Sequence, residues 1–175
     1  MKNEAGPPRL ARSSGEAGQT LIEMIVVITV GIMVVGALTF AVLFSLRNAK
    51  FSQNQNQATK LAQEGLEKLR RVRAKDGVVN FIYGSPSTTT TKFSDLWNVR
   101  MYETCSPCYF TFSTDGVLID GSSSSFENLV NFQRQIQIQD VSASYNQEKT
   151  MTAVVKWTDA TGDHQSKLTT ILSKL

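Results

Sequence analysis

From Met24 to Phe44 the chain is uncharged and apolar, with Thr29 and Thr39 its only polar side chains, and a single carboxylate, Glu23, stands at the start of the run. As a helix this stretch rises about 31 Å, enough to cross the hydrocarbon core of a bilayer. Lipid or other helices must therefore cover it, which fixes the first quarter of the fold before anything else is read. A charged side chain costs roughly 2.5–3.5 kcal/mol at mid-bilayer and less near a helix end, so a carboxylate kept there marks a functional partner.

Two ordinary readings compete for the segment. A secretory signal peptide also begins with a basic region and an apolar stretch, but its cut follows that stretch, and this run is too long for one. A plain signal anchor fits the length, yet it leaves Glu23 and the residues just before it without a purpose. The positive-inside count does not orient the helix, since Lys2, Arg9 and Arg12 precede the run while Arg47 and Lys50 follow it.

Those preceding residues, Gly18-Gln19-Thr20-Leu21-Ile22-Glu23, resemble the processing site of type IV prepilins and related pseudopilins. The resemblance implies that a prepilin peptidase cuts between Gly18 and Gln19 on the cytoplasmic side and N-methylates Gln19, leaving the apolar helix attached. It further implies that Glu23 meets the N-terminal amine of a neighbouring subunit as helices pack into a filament core. The pairing is physically sound: an α-amine is cationic at neutral pH, and a buried carboxylate is tolerable only when paired. The family pattern departs at Phe40, near where many major pilins carry a helix-breaking proline; only Gly31 and Gly36 weaken this run.

Length allows one membrane helix and one small domain. The division expected is a cleaved leader over 1–18, a transmembrane and filament-core helix over 19–44, an extracytoplasmic continuation of the same helix over 45–76, and a head over 77–175. The leader is polar, with Gly6, Pro7 and Pro8 opposing helix. Beyond the membrane run, Ala58, Leu61, Ala62, Gly65, Leu69 and Val72 recur at three- and four-residue intervals as one apolar stripe. Glu64 with Lys68 and Glu67 with Arg71 are helix-supporting pairs. Asp76-Gly77 reads as the terminus, with Gly77 suited to a left-handed cap and Arg70, Arg71, Arg73 and Lys75 favourable to the helix dipole.

After Gly77 the period shifts toward two. Val78 to Tyr83, Leu96 to Tyr102, Tyr109 to Phe112 and Val117 to Ile119 read as strands, with Thr114-Asp115-Gly116 as a hairpin turn. In the strongest alternation, Phe132, Arg134, Ile136 and Ile138 face one way and Gln133, Gln135, Gln137 and Gln139 the other, leaving Arg134 as the exception on an apolar face. Met151, Ala153, Val155 and Trp157 alternate likewise, and Asp159 to Gly162 turn the chain into a last strand near Lys167 to Leu172. Gly84 to Lys92 and Gly121 to Ser125, low in complexity, read as exposed loops, with glycosylation or adhesion as the sharper alternative. The fold class expected is α+β: a long N-terminal helix packed against a small antiparallel sheet, a shape that resembles the pilin fold.

Cys105-Ser106-Pro107-Cys108 fits a redox dithiol, half of a metal site or a short disulfide. A thioredoxin-like role needs a helix after the motif, where Tyr109 to Phe112 looks like strand, and zinc needs four ligands where His164 is the chain's one histidine. With the head outside the cytoplasmic membrane, as the resemblance implies, oxidation is favoured and Cys105 and Cys108 are expected to be bonded. No phosphate-binding glycine loop occurs and the head's acids are scattered, so neither enzymatic activity nor a cofactor or metal is expected.

Charge is uneven: residues 45–76 hold eight bases against three acids, and residues 77–175 seven against nine. Arg70 to Lys75 could serve a lipid or nucleic-acid surface, but a continuous helix carries Arg70 about 39 Å past Phe44, beyond a Debye length from lipid, and nucleic acid keeps little weight. The expectation is that this basic stem faces the acidic heads of neighbouring subunits. The segments Arg134 to Val141, Val154 to Trp157 and Thr169 to Leu172 also resemble the C-terminal half of minor pilins of the pilus-modification type, a weaker match than the N-terminal one. The resemblance thus implies a minor pilin of a type IV pilus-like filament, with prepilin peptidase, other pilin subunits and the inner-membrane assembly machinery as partners. Its path would run from single-pass insertion in the cytoplasmic membrane, leader inside and head outside, to a filament at the cell surface. A pseudopilin of a type II secretion or competence system shares the same N-terminal logic, and a membrane-anchored extracytoplasmic binding domain is the other class left open.

Overall fold

A computed structural model describes residues 16–83, 88–141 and 144–174, in two compact units, one ending at Ala49 and the other beginning at Lys50. Helix α1, Glu16–Ala74, runs through both. The helix begins within the segment expected to be leader; residues 1–15 of that leader lie outside the described residues.

In the first unit α1 is the one element among the described residues. Every described side chain from Thr20 to Ala49 is exposed, including all the large apolar ones between Leu21 and Leu46. Among the described residues, α1 is the one helix long and apolar enough to cross a membrane. Thr29 and Thr39 donate their hydroxyls to the carbonyls of Ile25 and Val35, 2.8 Å in each case, so neither needs an outside partner. Glu23 is left as the charge of the run.

The second unit closes a core between α1 and a sheet. Ala58, Ala62, Leu66 and Leu69 of α1 are buried against strand side chains such as Phe110, Ile136, Ile138 and Met151. The expected stripe is present, with Leu66 added to it. The helix ends in a Schellman motif: the Gly77 amide donates to Val72 O (2.8 Å) and the Asp76 amide to Arg73 O (3.1 Å). Here the left-handed residue is Asp76, φ 46°, and not Gly77 as expected. Gly77 is needed for closeness, because a Cβ there would lie 3.1 Å from Val72 Cγ1. Asp76 tolerates its position while its carboxylate accepts the Ser94 amide (2.8 Å) and hydroxyl (3.2 Å), and the amide bond chiefly holds its pKa below the usual carboxylate range.

Among the described residues eight strands form the sheet: β1 Val78–Tyr83, β2 Thr88–Lys92, β3 Cys108–Phe112, β4 Leu118–Gly121, β5 Glu127–Leu129, β6 Phe132–Asp140, β7 Glu148–Asp159 and β8 Gly162–Ser173. Their order is β2-β1-β4-β3-β6-β7-β8, with β5 pairing β6. The sheet is mixed rather than wholly antiparallel, because β1 runs parallel to β4 through Val79↔Leu118 and Asn80↔Ile119. Between them in the chain lie β2, β3 and, where a strand over Leu96 to Tyr102 was expected, a 3-10 helix over Phe93–Asn98 and a short α2 over Met101–Thr104. Phe93, Leu96 and Trp97 are buried at helical spacing, and Asp95 accepts the Lys92 amide (3.2 Å) at the helix start. The threonine run is also no loop, since Thr88–Lys92 pairs with β1, as the β-propensity of threonine permits. Residues 84–87 of the expected loop lie outside the described residues.

Candidate functional site

Gly18 and Gln19 fall within the first turn of α1, and Glu23 stands one turn beyond Gln19, exposed. At 1.5 Å of rise per residue, a new N-terminus at Gln19 would lie about 6 Å along the axis from Glu23. Across the run that follows, Gly31 and Gly36 leave open space where a Cβ would stand.

Cys105 and Cys108 are joined as a disulfide, Cα–Cα 4.9 Å. Cys108 opens β3 and is buried, and the short α2 precedes the motif rather than following it. Among the described residues no helix therefore starts at the motif, as a low-pKa redox thiol would need. The bridge ties the end of α2 to the start of β3.

The basic stem is partly committed within its own unit. Lys68 pairs with Glu64 (3.3 Å) as expected, but Glu67 pairs with Arg70 instead of Arg71. Arg73 donates to Ser173 O at the end of β8 (2.8 Å) and Arg70 reaches Thr170 Oγ1 (3.4 Å). Arg71 and Lys75 have no such partner among the described residues.

Two buried charges hold the sheet to its surroundings. Arg134, 1 % exposed, crosses from β6 to the helix: Nε donates to Glu127 Oε2 (2.9 Å), Nη2 approaches the same oxygen (2.7 Å), and Nη1 donates to Leu61 O (3.0 Å). Gly65 belongs to this contact, since a Cβ there would lie 2.9 Å from Arg134 Cδ. Lys149 of β7, wholly buried, contacts Asp140 and donates to Val99 O (3.0 Å), with the Trp97 ring 5.9 Å away. Gln135, expected on the solvent face, is buried beneath the serine loop and donates to Ser122 O (2.9 Å) and Ser125 O (2.6 Å).

His164 lies on β8 beside the last hairpin turn. Asp159 Oδ1 accepts the Thr161 amide (2.8 Å) and hydroxyl (2.5 Å) and lies 3.0 Å from His164 Nε2. Thr161 Oγ1 is also 2.9 Å from that nitrogen. Both neighbours thus share one nitrogen, whereas a relay needs the acid on one ring nitrogen and the nucleophile on the other. This arrangement clamps a turn. The Thr161 hydroxyl and amide together hold Asp159 below the usual carboxylate range.

The clamp forms one wall of a groove of about 1120 Å³, bounded otherwise by Lys50, Gln53, Asn54 and Gln57 of α1 and by the β5–β6 turn. At its rim Val130 is fully exposed with φ 53°, a left-handed conformation that a β-branched residue adopts at a cost of about 1–2 kcal/mol. Val130→Gly removes that strain at some loss of chain entropy. It is expected to raise stability by about 1 kcal/mol, read as an unfolding midpoint higher by roughly 4 °C.

The chain matches no protein-family model, no curated protein and no solved structure.

Proposed function

We propose that this chain is a structural subunit of a type IV pilus-like filament, matured by a prepilin peptidase at Gly18-Gln19 and assembled by packing of its apolar helix. The observation that carries the reading is α1 itself. Its apolar run is uncovered on every side, its one carboxylate sits a turn after the cleavage junction, and the same helix continues as the spine of a folded head. Such a run is stored in lipid before assembly and among neighbouring helices afterwards. Glu23 then pairs with the amine of Gln19 in an adjacent subunit, an ion pair available only after cleavage. In this reading the leader is cytoplasmic and the disulfide-bearing head lies outside, first at the cytoplasmic membrane and then on a cell-surface filament, delivered by inner-membrane assembly machinery.

Within that class the minor-pilin resemblance of the C-terminal strands favours a minor subunit over a major pilin, and a secretion or competence pseudopilin is the near alternative. The more distant one is a membrane-anchored binding domain, for which the groove is the relevant observation. Peptidase processing separates the two classes. Expressed with a prepilin peptidase, the membrane-extracted protein should give a peptide sequence and intact mass beginning at methylated Gln19; without the peptidase it should retain the residues up to Gly18. An uncut chain in the presence of active peptidase overturns the filament reading.

A further inference from the structure

The groove of the second unit is not used by anything in the filament reading. We propose that it is a binding site for a neutral glycan. Seven of the residues lining it are carboxamides: Gln133 donates to Asn128 (3.2 Å), and the other five are Gln53, Asn54 and Gln57 from α1, Asn131 from the β5–β6 turn and Gln165 from β8. Among the described residues, none of these five side chains has a hydrogen-bond partner within the chain. Each offers two donors and two acceptors on a planar group, the pattern that matches the paired hydroxyls of a sugar. Sites that recognise small ligands converge a few polar groups on one concavity, and here they converge from three separate elements.

Charge and apolar surface narrow the class. Lys50 and Lys156 are balanced by Asp159 and Asp163 along the lining, so no net field selects a phosphate-bearing or cationic ligand. Peptide recognition draws on apolar anchor pockets or charge clusters, but the ring side chains of the lining are taken: Phe132 and Trp157 are buried in the core. What remains apolar is narrow. Besides those rings the lining has only Val130 and Ala160 as apolar residues, and Phe51, 41 % exposed, stands beside the groove, edge-on to the lining His164 at 5.1 Å. Val130 keeps a strained backbone at full exposure on the rim, and strain retained at a site is a mark of function.

The test uses the full chain in a sugar-free zwitterionic detergent, applied to an array of neutral hexose and N-acetylhexosamine oligosaccharides, with a library of neutral peptides in parallel. The variant is Asn54→Ala with Gln57→Ala, two partnerless positions where alanine favours the helix. Gln63→Ala, an exposed carboxamide on the same helix away from the groove, is the control. Saturable binding of at least one glycan is expected, weakened about tenfold or more by the double variant, the loss of one to two polar contacts, and unchanged by the control. Absence of glycan binding, binding indifferent to the double variant, or retention of peptides alone would each overturn the proposal. No filament is needed for the measurement, so its failure leaves the pilus reading standing, and an uncut leader leaves this one standing.

Discussion

Glu23→Ala is expected to leave the protein in the membrane and to remove it from filaments. The two halves of that result have different physical sources. In the isolated chain Glu23 is exposed on α1 at the edge of the apolar run, so replacing it takes a charge away from lipid and leaves insertion unchanged or improved. Inside a bundle of such helices the carboxylate would be desolvated and tolerable only against the Gln19 amine of a neighbour. Removing one member of a buried pair costs about 3–5 kcal/mol, and about 1.4 kcal/mol is tenfold in an equilibrium. The subunit recovered in sheared filaments, relative to that in the membrane fraction, should therefore fall by about a hundredfold or more. Glu23→Gln, which keeps the shape and loses the charge, should fail alongside it if charge is what matters. Incorporation of either variant at the normal level would remove the proposed role of Glu23.

What the sequence made legible was whatever its periodicity wrote plainly. The apolar run, the stripe from Ala58 to Leu69 and the alternation of β6 each follow one repeat, and the structure places them on α1 and β6. Segments that mix two signals misled. Leu96 to Tyr102 holds enough aromatic and branched residues to look like strand, but Phe93, Leu96 and Trp97 were already spaced as a helical turn. The threonine run looked like low-complexity loop while its composition was also that of a strand, and only its partner β1 decides between them. Gln135 kept its place in the alternation yet is buried, because the serine loop folds over that face, a tertiary event with no local signature.

The buried charges show the same limit from the other side. Arg134 stood out as the exception on its apolar face, but its partners Glu127 and Leu61 O come from elements whose approach no single segment announces. Lys149 and Asp140 carried a usable signal: Lys149 shares the parity of Met151 and Val155, and Asp140 that of Ile136 and Ile138. Extending each inward face by two residues would have set a cation and an anion at the same end of two faces that prove to be paired neighbours, Asp140↔Lys149. The glycan groove had no such trace, since its carboxamides come from three distant stretches and mean nothing until α1, the β5–β6 turn and β8 meet.

The Lys149–Asp140 pair supplies the largest expected effect on stability. Lys149 is wholly buried and the Asp140 side chain 3 % exposed, so Lys149→Met leaves an anion in the core with, among the described residues, only the Tyr102 amide, 3.2 Å from Oδ2, to hold it. The loss should be about 3–5 kcal/mol. Lys149→Met combined with Asp140→Asn removes both charges while keeping an acceptor for that amide, and it should recover most of the loss, to within about 1 kcal/mol of the parent protein. Burial holds the Lys149 ammonium below the usual lysine range, against the pull of Asp140. The unfolded chain then binds more protons between that lowered value and about 10.5, so the pair's contribution grows as pH rises through this window and is smallest below it. Urea unfolding followed by tryptophan fluorescence, with the parent compared to the double variant across the alkaline range, reads both quantities. A double variant no more stable than Lys149→Met would mean that the lysine stem packs the core and its charge does not matter. A parent advantage that shrank with rising pH would reverse the assigned cause of the shift.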